Sequence, residues 1–267
     1  LEEMKIKGEQ KELDKERSEL ETVLKSAVKL KQKVRDEIIA DAEEFGDKRR
    51  SPLIERGEAR AIDVTQLLPT EPVTVILSEK GWVRAAKGHD VDARAFDYKT
   101  GDKFLHTARG KSNQMAVFLD STGRSYTLPA HKLPSARGHG EPLASSLNPP
   151  AGATWAGVMM GAPDDLYLLA SDAGYGFVCK LGELITDRRA GKAVLKVPKG
   201  STALPPQRVL DMQNDWLAAV TNKGNILVFM VAELPQMEKG KGEKILGIPG
   251  ARVVKREEFL AGVAVFQ

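Results

Sequence analysis

The fold is decided by the stretch MAVFLDSTGRSYTL at residues 115–128, in which two apolar runs flank a short polar turn. The turn ends on Gly123, and glycine adopts a positive φ angle without steric cost. Short apolar runs on either side of such a turn predict a β-hairpin.

Similar strand–turn–strand patterns recur at residues 73–86, 166–180 and 216–231. Their turn glycines are Gly81, Gly123, Gly174 and Gly224, which lie 42, 51 and 50 residues apart. Four-stranded propeller blades repeat every roughly 40–50 residues. The sequence therefore predicts a mainly β, propeller-like domain with four visible blades over residues 73–267.

A basic, glycine-containing loop follows three of these turns at matched distances. The loops are RGHG at 137–140, RAGK at 189–192 and KGKG at 239–242, and they begin 14, 15 and 15 residues after the turn glycine. Glycines let backbone N–H groups approach an anion, and Lys and Arg neutralise phosphate charge. Loops at equivalent places in successive blades would line one basic surface. Ordinary solvated turns between strands are the open alternative.

We predict that cations in these loops and in the neighbouring turns contact the phosphates of duplex DNA, without base preference. The candidate DNA-binding residues are Arg84, Lys87, Arg124, Arg137, Arg188, Arg189, Lys192, Lys223, Lys239, Lys241 and Lys244.

The N-terminal segment has a different spacing of apolar residues. Apolar residues recur every seven positions at Ile6, Leu13, Leu20, Ala27 and Val34. This spacing predicts one coiled-coil helix over residues 1–46. Residues 47–72 lose the heptad and contain prolines, which indicates a linker. Because residue 1 already falls inside the helical pattern, we expect a piece of a longer protein, with the partner helix in another segment or another chain.

Composition narrows the remaining function classes. The chain has 267 residues and a net charge of +3, and no apolar run is long enough to predict a membrane span. The single cysteine, Cys179, cannot form an internal disulfide, and its apolar context predicts a small buried side chain. The four histidines lack ligand-like spacing and no nucleophile elbow occurs, so we predict no catalytic or metal site.

Several long strings closely resemble the family of A subunits of bacterial DNA topoisomerase IV. They are LEEMKIKGEQKELDKE at 1–16, FGDKRRSPL at 45–53, EPVTVILSEKGWVRAAKGHD at 71–90, GKSNQ at 110–114, DSTGRSY at 120–126, LPSARGHGEPL at 133–143, SDAGYGFVCK at 171–180 and LPQMEKGKGEKILGIP at 234–249. The resemblance implies the end of a coiled coil followed by a C-terminal β-pinwheel, a propeller-like array whose blades exchange strands.

The resemblance also implies five blades, whereas the sequence shows four hairpins. We therefore expect an open ring in which the fifth blade is partial or missing. The segment FLAGVAVFQ at 259–267 is either its only strand or the end of a truncated domain.

The function implied by the resemblance is non-catalytic. This region would bind and bend the transported duplex for ATP-dependent decatenation and relaxation by double-strand passage. The catalytic tyrosine would lie outside the chain, and ATP and Mg²⁺ would act through other domains, so no cofactor is expected here. Implied partners are the B subunit, a second A subunit in an A2B2 heterotetramer, and chromosome-organising proteins. The implied location is the bacterial cytoplasm at the nucleoid, with the periphery of the inner membrane as an alternative.

Two alternatives accompany this interpretation. The related gyrase A subunits carry a Gln-Arg-Arg-Gly-Gly-Lys-Gly box in the first blade, where this sequence reads DARAFDYKTGD at 92–102. Absence of the box implies decatenation and relaxation rather than negative supercoiling. The other alternative is a propeller-type protein-interaction module tethered by a coiled coil, because fold alone does not determine function.

Overall fold

The computed structural model describes residues 2–47, 51 and 70–267. These residues divide into two compact units. Residues 2–47 and 51 belong to the first unit, and residues 70–267 belong to the second.

The first unit contains two helices, α1 (Glu2–Leu24) and α2 (Ala27–Phe45). The prediction of one uninterrupted helix is therefore wrong at a single point. Ser26 has an extended backbone, and its hydroxyl accepts a hydrogen bond from the Lys29 N–H at 3.4 Å. A serine in this conformation caps a new helix, since its side chain satisfies one of the free N–H groups of the first turn.

The apolar heptad side chains Ile6, Leu13 and Val34 are exposed. No partner helix packs on them within residues 2–47, so the coiled coil remains a prediction. Most of the predicted linker, residues 48–50 and 52–69, lies outside the described residues.

The second unit consists of four antiparallel sheets, each built on one predicted hairpin. The four turn glycines have φ angles between 79° and 84°, which explains why glycine stands there. The first blade comprises β1 (Pro72–Ser78), β2 (Trp82–Lys87), β3 (Phe104–Lys111) and β6 (Glu141–Pro142). The second comprises β4 (Met115–Asp120), β5 (Arg124–Pro129), β7 (Trp155–Met159) and β10 (Lys192–Ala193). The third comprises β8 (Leu166–Ser171), β9 (Tyr175–Lys180), β11 (Gln207–Val209) and β14 (Glu243–Lys244). The fourth comprises β12 (Trp216–Thr221), β13 (Ile226–Met230) and β15 (Leu260–Phe266). Two short helices, α3 (Leu181–Leu184) and α4 (Gly250–Val254), lie in connections.

The blades exchange strands. The strand order is β3-β1-β2-β6 in the first blade, β7-β4-β5-β10 in the second and β11-β8-β9-β14 in the third. In each of them the last strand is supplied by the following repeat, as when β6 pairs Glu141 with Val83 although β6 comes after β5 in the chain. The predicted mainly β, pinwheel-like fold with four blades is thus confirmed.

The C-terminal strand completes the fourth blade. β15 pairs with β12, with Phe266 opposite Trp216, and so takes the place that β3, β7 and β11 hold in the other blades. The interpretation of residues 259–267 as the only strand of a fifth blade is therefore wrong. The fourth blade has three strands in the described chain, and β13 is its free edge.

Apolar clusters fill the spaces between successive blades. Phe118 and Tyr126 are fully buried between the first and second blades, where Trp155 packs against both rings in T-shaped geometry. Burying a side chain of this size stabilises the fold by about 1.5–3 kcal/mol. The outward face of the first blade is covered by residues 91–98, whose Phe96 and Tyr98 pack over Ile76.

Candidate nucleic-acid interface

The three basic loops occupy the same place in successive blades. RGHG directly precedes β6, RAGK runs into β10, and KGKG directly precedes β14. Each of these strands is the exchanged strand that pairs with the blade before it. The matched sequence spacing therefore reflects matched positions in the fold.

One glycine in each of these loops serves strand exchange, namely Gly140, Gly191 and Gly242. Gly140 has a φ of 86°, and a β-carbon there would lie 2.2 Å from the carbonyl oxygen of Val83. Gly191 has a φ of 71°, and a β-carbon there would lie 2.6 Å from the Tyr126 ring. The prediction that glycines open the backbone to an anion is not needed for them, because close crossing of two chain segments already requires glycine.

Five of the predicted cations carry their charge freely at the surface. Their side chains are exposed, and their charged groups form no hydrogen bond or ion pair with other residues in the described ranges. They are Arg137, Arg188, Lys223, Lys239 and Lys244. Arg137 and Lys239 lie in the first and third loops, and Arg188 directly precedes the second. Lys244 lies on β14 and Lys223 in the turn of the fourth hairpin.

Arg84 does not fit the predicted role of a phosphate contact. Its side chain is 4% exposed, and its guanidinium carbon lies 4.9 Å from the Phe96 ring centroid and 4.7 Å from that of Tyr98. The two Nη groups donate to the carbonyl oxygens of Gly138 at 2.8 Å and Asp97 at 3.0 Å. A guanidinium enclosed in this way has no surface to offer to DNA.

Three more predicted cations are held by backbone carbonyls. Arg124 donates to Ala190 and Gly191. Arg189 donates to the carbonyls of residues 145 and 146, at 3.3 and 2.8 Å. Lys192 donates to the carbonyl of residue 183 at 2.6 Å. These groups keep their charge near the surface, but their geometry is fixed by the protein.

The last two predicted cations have side-chain partners. Lys87 forms an exposed ion pair with Glu71 at 3.2 Å, a type of contact that contributes about 0–1 kcal/mol and is easily exchanged for a phosphate. The Nζ atom of Lys241 lies 3.5 Å from the ring centroid of Tyr175, in a cation–π contact.

Sequence reasoning missed Lys196. This exposed lysine lies with Lys239 in a groove of about 570 Å³, and its N–H donates to the carbonyl of Gly240 at 2.7 Å. The candidates were chosen from glycine loops and turns, whereas Lys196 follows the RAGK loop inside an apolar run. Lys196 comes to lie beside the KGKG loop only because the repeats exchange strands, which the sequence around Lys196 does not reveal.

The side chains most able to act as a nucleophile or a base, Cys179 and His106, are buried or partly buried. Cys179 is buried, as predicted, and burial raises the pKa of its thiol to about 12. Burial likewise lowers the pKa of His106, which lies against Val158 of the next blade. Within the described residues, no group of three or more His, Cys, Asp or Glu is placed to hold a metal ion. None of the helices described is both long and apolar enough to cross a membrane.

Comparison with known proteins gives consistent sequence relatives. The family model described as DNA gyrase C-terminal domain, beta-propeller, matches residues 165–202 and 215–267. The DNA topoisomerase 4 A subunit of Pseudomonas aeruginosa is 60% identical over 265 residues, which cover 99% of this chain and 35% of that protein. The corresponding protein of Escherichia coli K12 is 51% identical over 265 residues, with the same coverage. The chain thus spans about a third of the length of these relatives.

Solved structures agree with the sequence relatives. The E. coli ParC C-terminal domain has a TM-score of 0.66 and 50% identity, covering 73% of this chain and 79% of that one. A DNA gyrase A C-terminal domain has a TM-score of 0.56 at 16% identity, covering 85% of this chain and 77% of that one, and shows the likeness of fold alone. The chain belongs to the family of DNA topoisomerase IV A subunits, and its second unit is the C-terminal β-pinwheel domain of that family.

Proposed function

We propose that the second unit binds duplex DNA along its basic rim and bends it. The basic rim consists of Arg137, Arg188, Lys196, Lys223, Lys239 and Lys244. The observation that carries the proposal is that three successive repeats each present, in the basic loop or directly before it, a cation whose charged group has no hydrogen-bond or ion-pair partner in the described chain. A duplex offers phosphates continuously along its axis, so each cation can neutralise one phosphate and release a counterion.

Bending follows from the repetition. Successive blades present their loops at successive positions around the array, so a duplex that contacts all three loops has to follow the rim. The contacts fall on the phosphate backbone, and sequence preference is therefore expected to be weak. The fixed cations Arg124, Arg189 and Lys192 add positive potential behind the rim.

In the whole protein, we propose that the bent duplex is the transported segment in ATP-dependent decatenation and relaxation by double-strand passage. The catalytic tyrosine and the ATP and Mg²⁺ sites would lie in other domains. The B subunit together with a second A subunit would complete an A2B2 heterotetramer, and chromosome-organising proteins are further partners. This proposal places the protein at the nucleoid in the bacterial cytoplasm.

The test is fluorescence anisotropy with labelled duplexes of about 40 base pairs and unrelated sequences, titrated at several salt concentrations. We expect similar affinities for all sequences and a linear fall of log affinity with log salt. Absence of binding at low salt would contradict the proposal.

A protein-interaction module is the second candidate, and the free edge of the fourth blade favours it. Ile226 is 68% exposed and Val228 is 47% exposed on β13, and contiguous apolar surface is typical of protein contacts. The paired substitution Ile226→Thr and Val228→Thr separates the two functions. It should leave DNA affinity unchanged if DNA binds at the basic rim, and weaken binding of a protein partner if one docks on β13.

A further inference from the structure

Arg84 in the first blade and Arg124 in the second each extend into the basic loop that the following repeat supplies. Arg84 on β2 donates to the carbonyl of Gly138 at 2.8 Å, inside the RGHG loop. Arg124 at the start of β5 donates to Ala190 at 2.9 Å and to Gly191 at 3.1 Å, inside the RAGK loop. Each arginine belongs to the strand on which the exchanged strand lies.

Neither arginine forms an ion pair with a carboxylate of the described residues. A guanidinium stays protonated at any physiological pH and carries five N–H donors in a rigid fork, which suits it to gripping two carbonyl oxygens at once. The two hydrogen bonds of each arginine fix the direction of its guanidinium toward the backbone carbonyls that accept them. The hydrogen bonds therefore point to a role inside the protein.

Free cations lie in or directly beside the held loops, with Arg137 in the first and Arg188 immediately before the second. The carbonyls that accept from Arg84 and Arg124 lie next to Arg137 in one loop and two or three residues after Arg188 in the other. A loop ordered before binding loses less conformational entropy when it meets its ligand. Among the residues that the structure describes, no arginine donates to the third loop in this way, and the ring of Tyr175 on β9 contacts Lys241 there.

We infer that Arg84 and Arg124 are positioning residues, which hold the first two basic loops so that Arg137 and Arg188 face DNA. The inference rests on the proposed function. The sequence alone predicts that both arginines contact phosphates, whereas the inference gives them a structural role in holding the loops.

The experiment compares Arg124→Ala with the matched control Arg188→Ala, which removes a free cation three residues before the clamped Gly191. DNA affinity is measured as a function of salt, and amide hydrogen exchange is measured over residues 188–196 without DNA. For Arg124→Ala we expect affinity to fall by roughly threefold to tenfold, a salt slope that falls by much less than one, and faster exchange in the loop. For Arg188→Ala we expect the slope to fall by about one and exchange to stay as it was.

A slope that falls by about one in Arg124→Ala, with unchanged exchange, would overturn the inference and make Arg124 a phosphate contact. Arg84→Lys supplies a second test, because lysine keeps the charge but lacks the rigid planar fork with which Arg84 reaches the carbonyls of Gly138 and Asp97. It should speed exchange over residues 136–140, and unchanged exchange there contradicts the role of Arg84. If the unsubstituted protein does not bind DNA, the proposed function fails, while the exchange data still decide whether the arginines hold the loops.

Discussion

Gly242 lies against the carbonyl of Gly176, so close that a β-carbon on Gly242 would sit 2.0 Å from the carbonyl oxygen. Gly242 is the last residue of the third basic loop, and Gly176 lies on β9 of the blade that receives the exchanged strand β14. The φ angle of Gly242, 75°, also belongs to the region that side chains avoid. Two independent constraints therefore select glycine at this crossing.

Gly242→Ala should lower the free energy of unfolding by about 1–3 kcal/mol, because it adds backbone strain and a clash with a backbone oxygen. Urea unfolding followed by circular dichroism measures the change. Gly138→Ala is the matched control, since nothing lies within 4 Å of a β-carbon at that loop glycine. Equal stability of the two variants would show that the third crossing tolerates a side chain.

Replacing Lys239, Lys241 and Lys244 together with alanine should weaken binding to all DNA sequences and flatten the salt dependence by roughly one unit of slope for each phosphate interaction removed. The physical reason is that fewer counterions are released on binding. The measurement is the anisotropy titration, with circular dichroism as a check that the fold is retained. Unchanged affinity and slope would remove the third loop from the interface.

Cys179 should resist alkylation in the folded protein. Its thiol is buried and its pKa is raised to about 12, which leaves roughly one thiolate in 10⁴ at pH 8. Mass spectrometry after iodoacetamide treatment should show little labelling in buffer and complete labelling in urea. Rapid labelling of the native protein would mean that the second blade separates readily from the third.

Tyr126→Phe should destabilise the protein by about 1–3 kcal/mol at pH 7, because the hydroxyl of Tyr126 donates to the buried carboxylate of Asp120 at 2.8 Å. Thermal unfolding monitored by circular dichroism measures the loss.

The same tyrosine predicts a pH dependence. Burial and the neighbouring Asp120 raise the pKa of Tyr126 above its ordinary value of 10.0. Since the folded state favours the neutral phenol, its contribution is complete below pH 10 and is lost as pH rises beyond that value. Stability should therefore fall less steeply above pH 10 in Tyr126→Phe than in the unsubstituted protein. Parallel curves would contradict this assignment.

The sequence predicted those structural features that depend only on residues close together along the chain. Gly81 and Gly123 revealed hairpins because a positive φ is a local requirement with a recognisable residue type. The pairing of Glu141 with Val83 lay beyond such reasoning, since a two-residue strand has no periodicity and its partner is 58 positions earlier. The free cations of the loops could be identified from their composition.

The structural roles of Arg84 and Arg124 could not be identified from the sequence. Whether Arg84 faces solvent depends on Phe96 and Tyr98, which fold back over the first blade from the following segment. The helix break at Ser26 was missed for a different reason. A heptad count registers apolar positions and ignores the capping propensity of a polar residue between them.

Strand exchange has a consequence for synthesis on the ribosome. The chain emerges from its N-terminus, and β2 is finished 54 residues before the chain reaches Glu141, the start of the strand that covers it. Each of the first three blades is therefore completed only after the next repeat is synthesised, and until then the strand that will receive the exchanged strand is an uncovered edge. Exposed edges favour pairing with other chains, so the interval between repeats is a period of aggregation risk for the nascent protein.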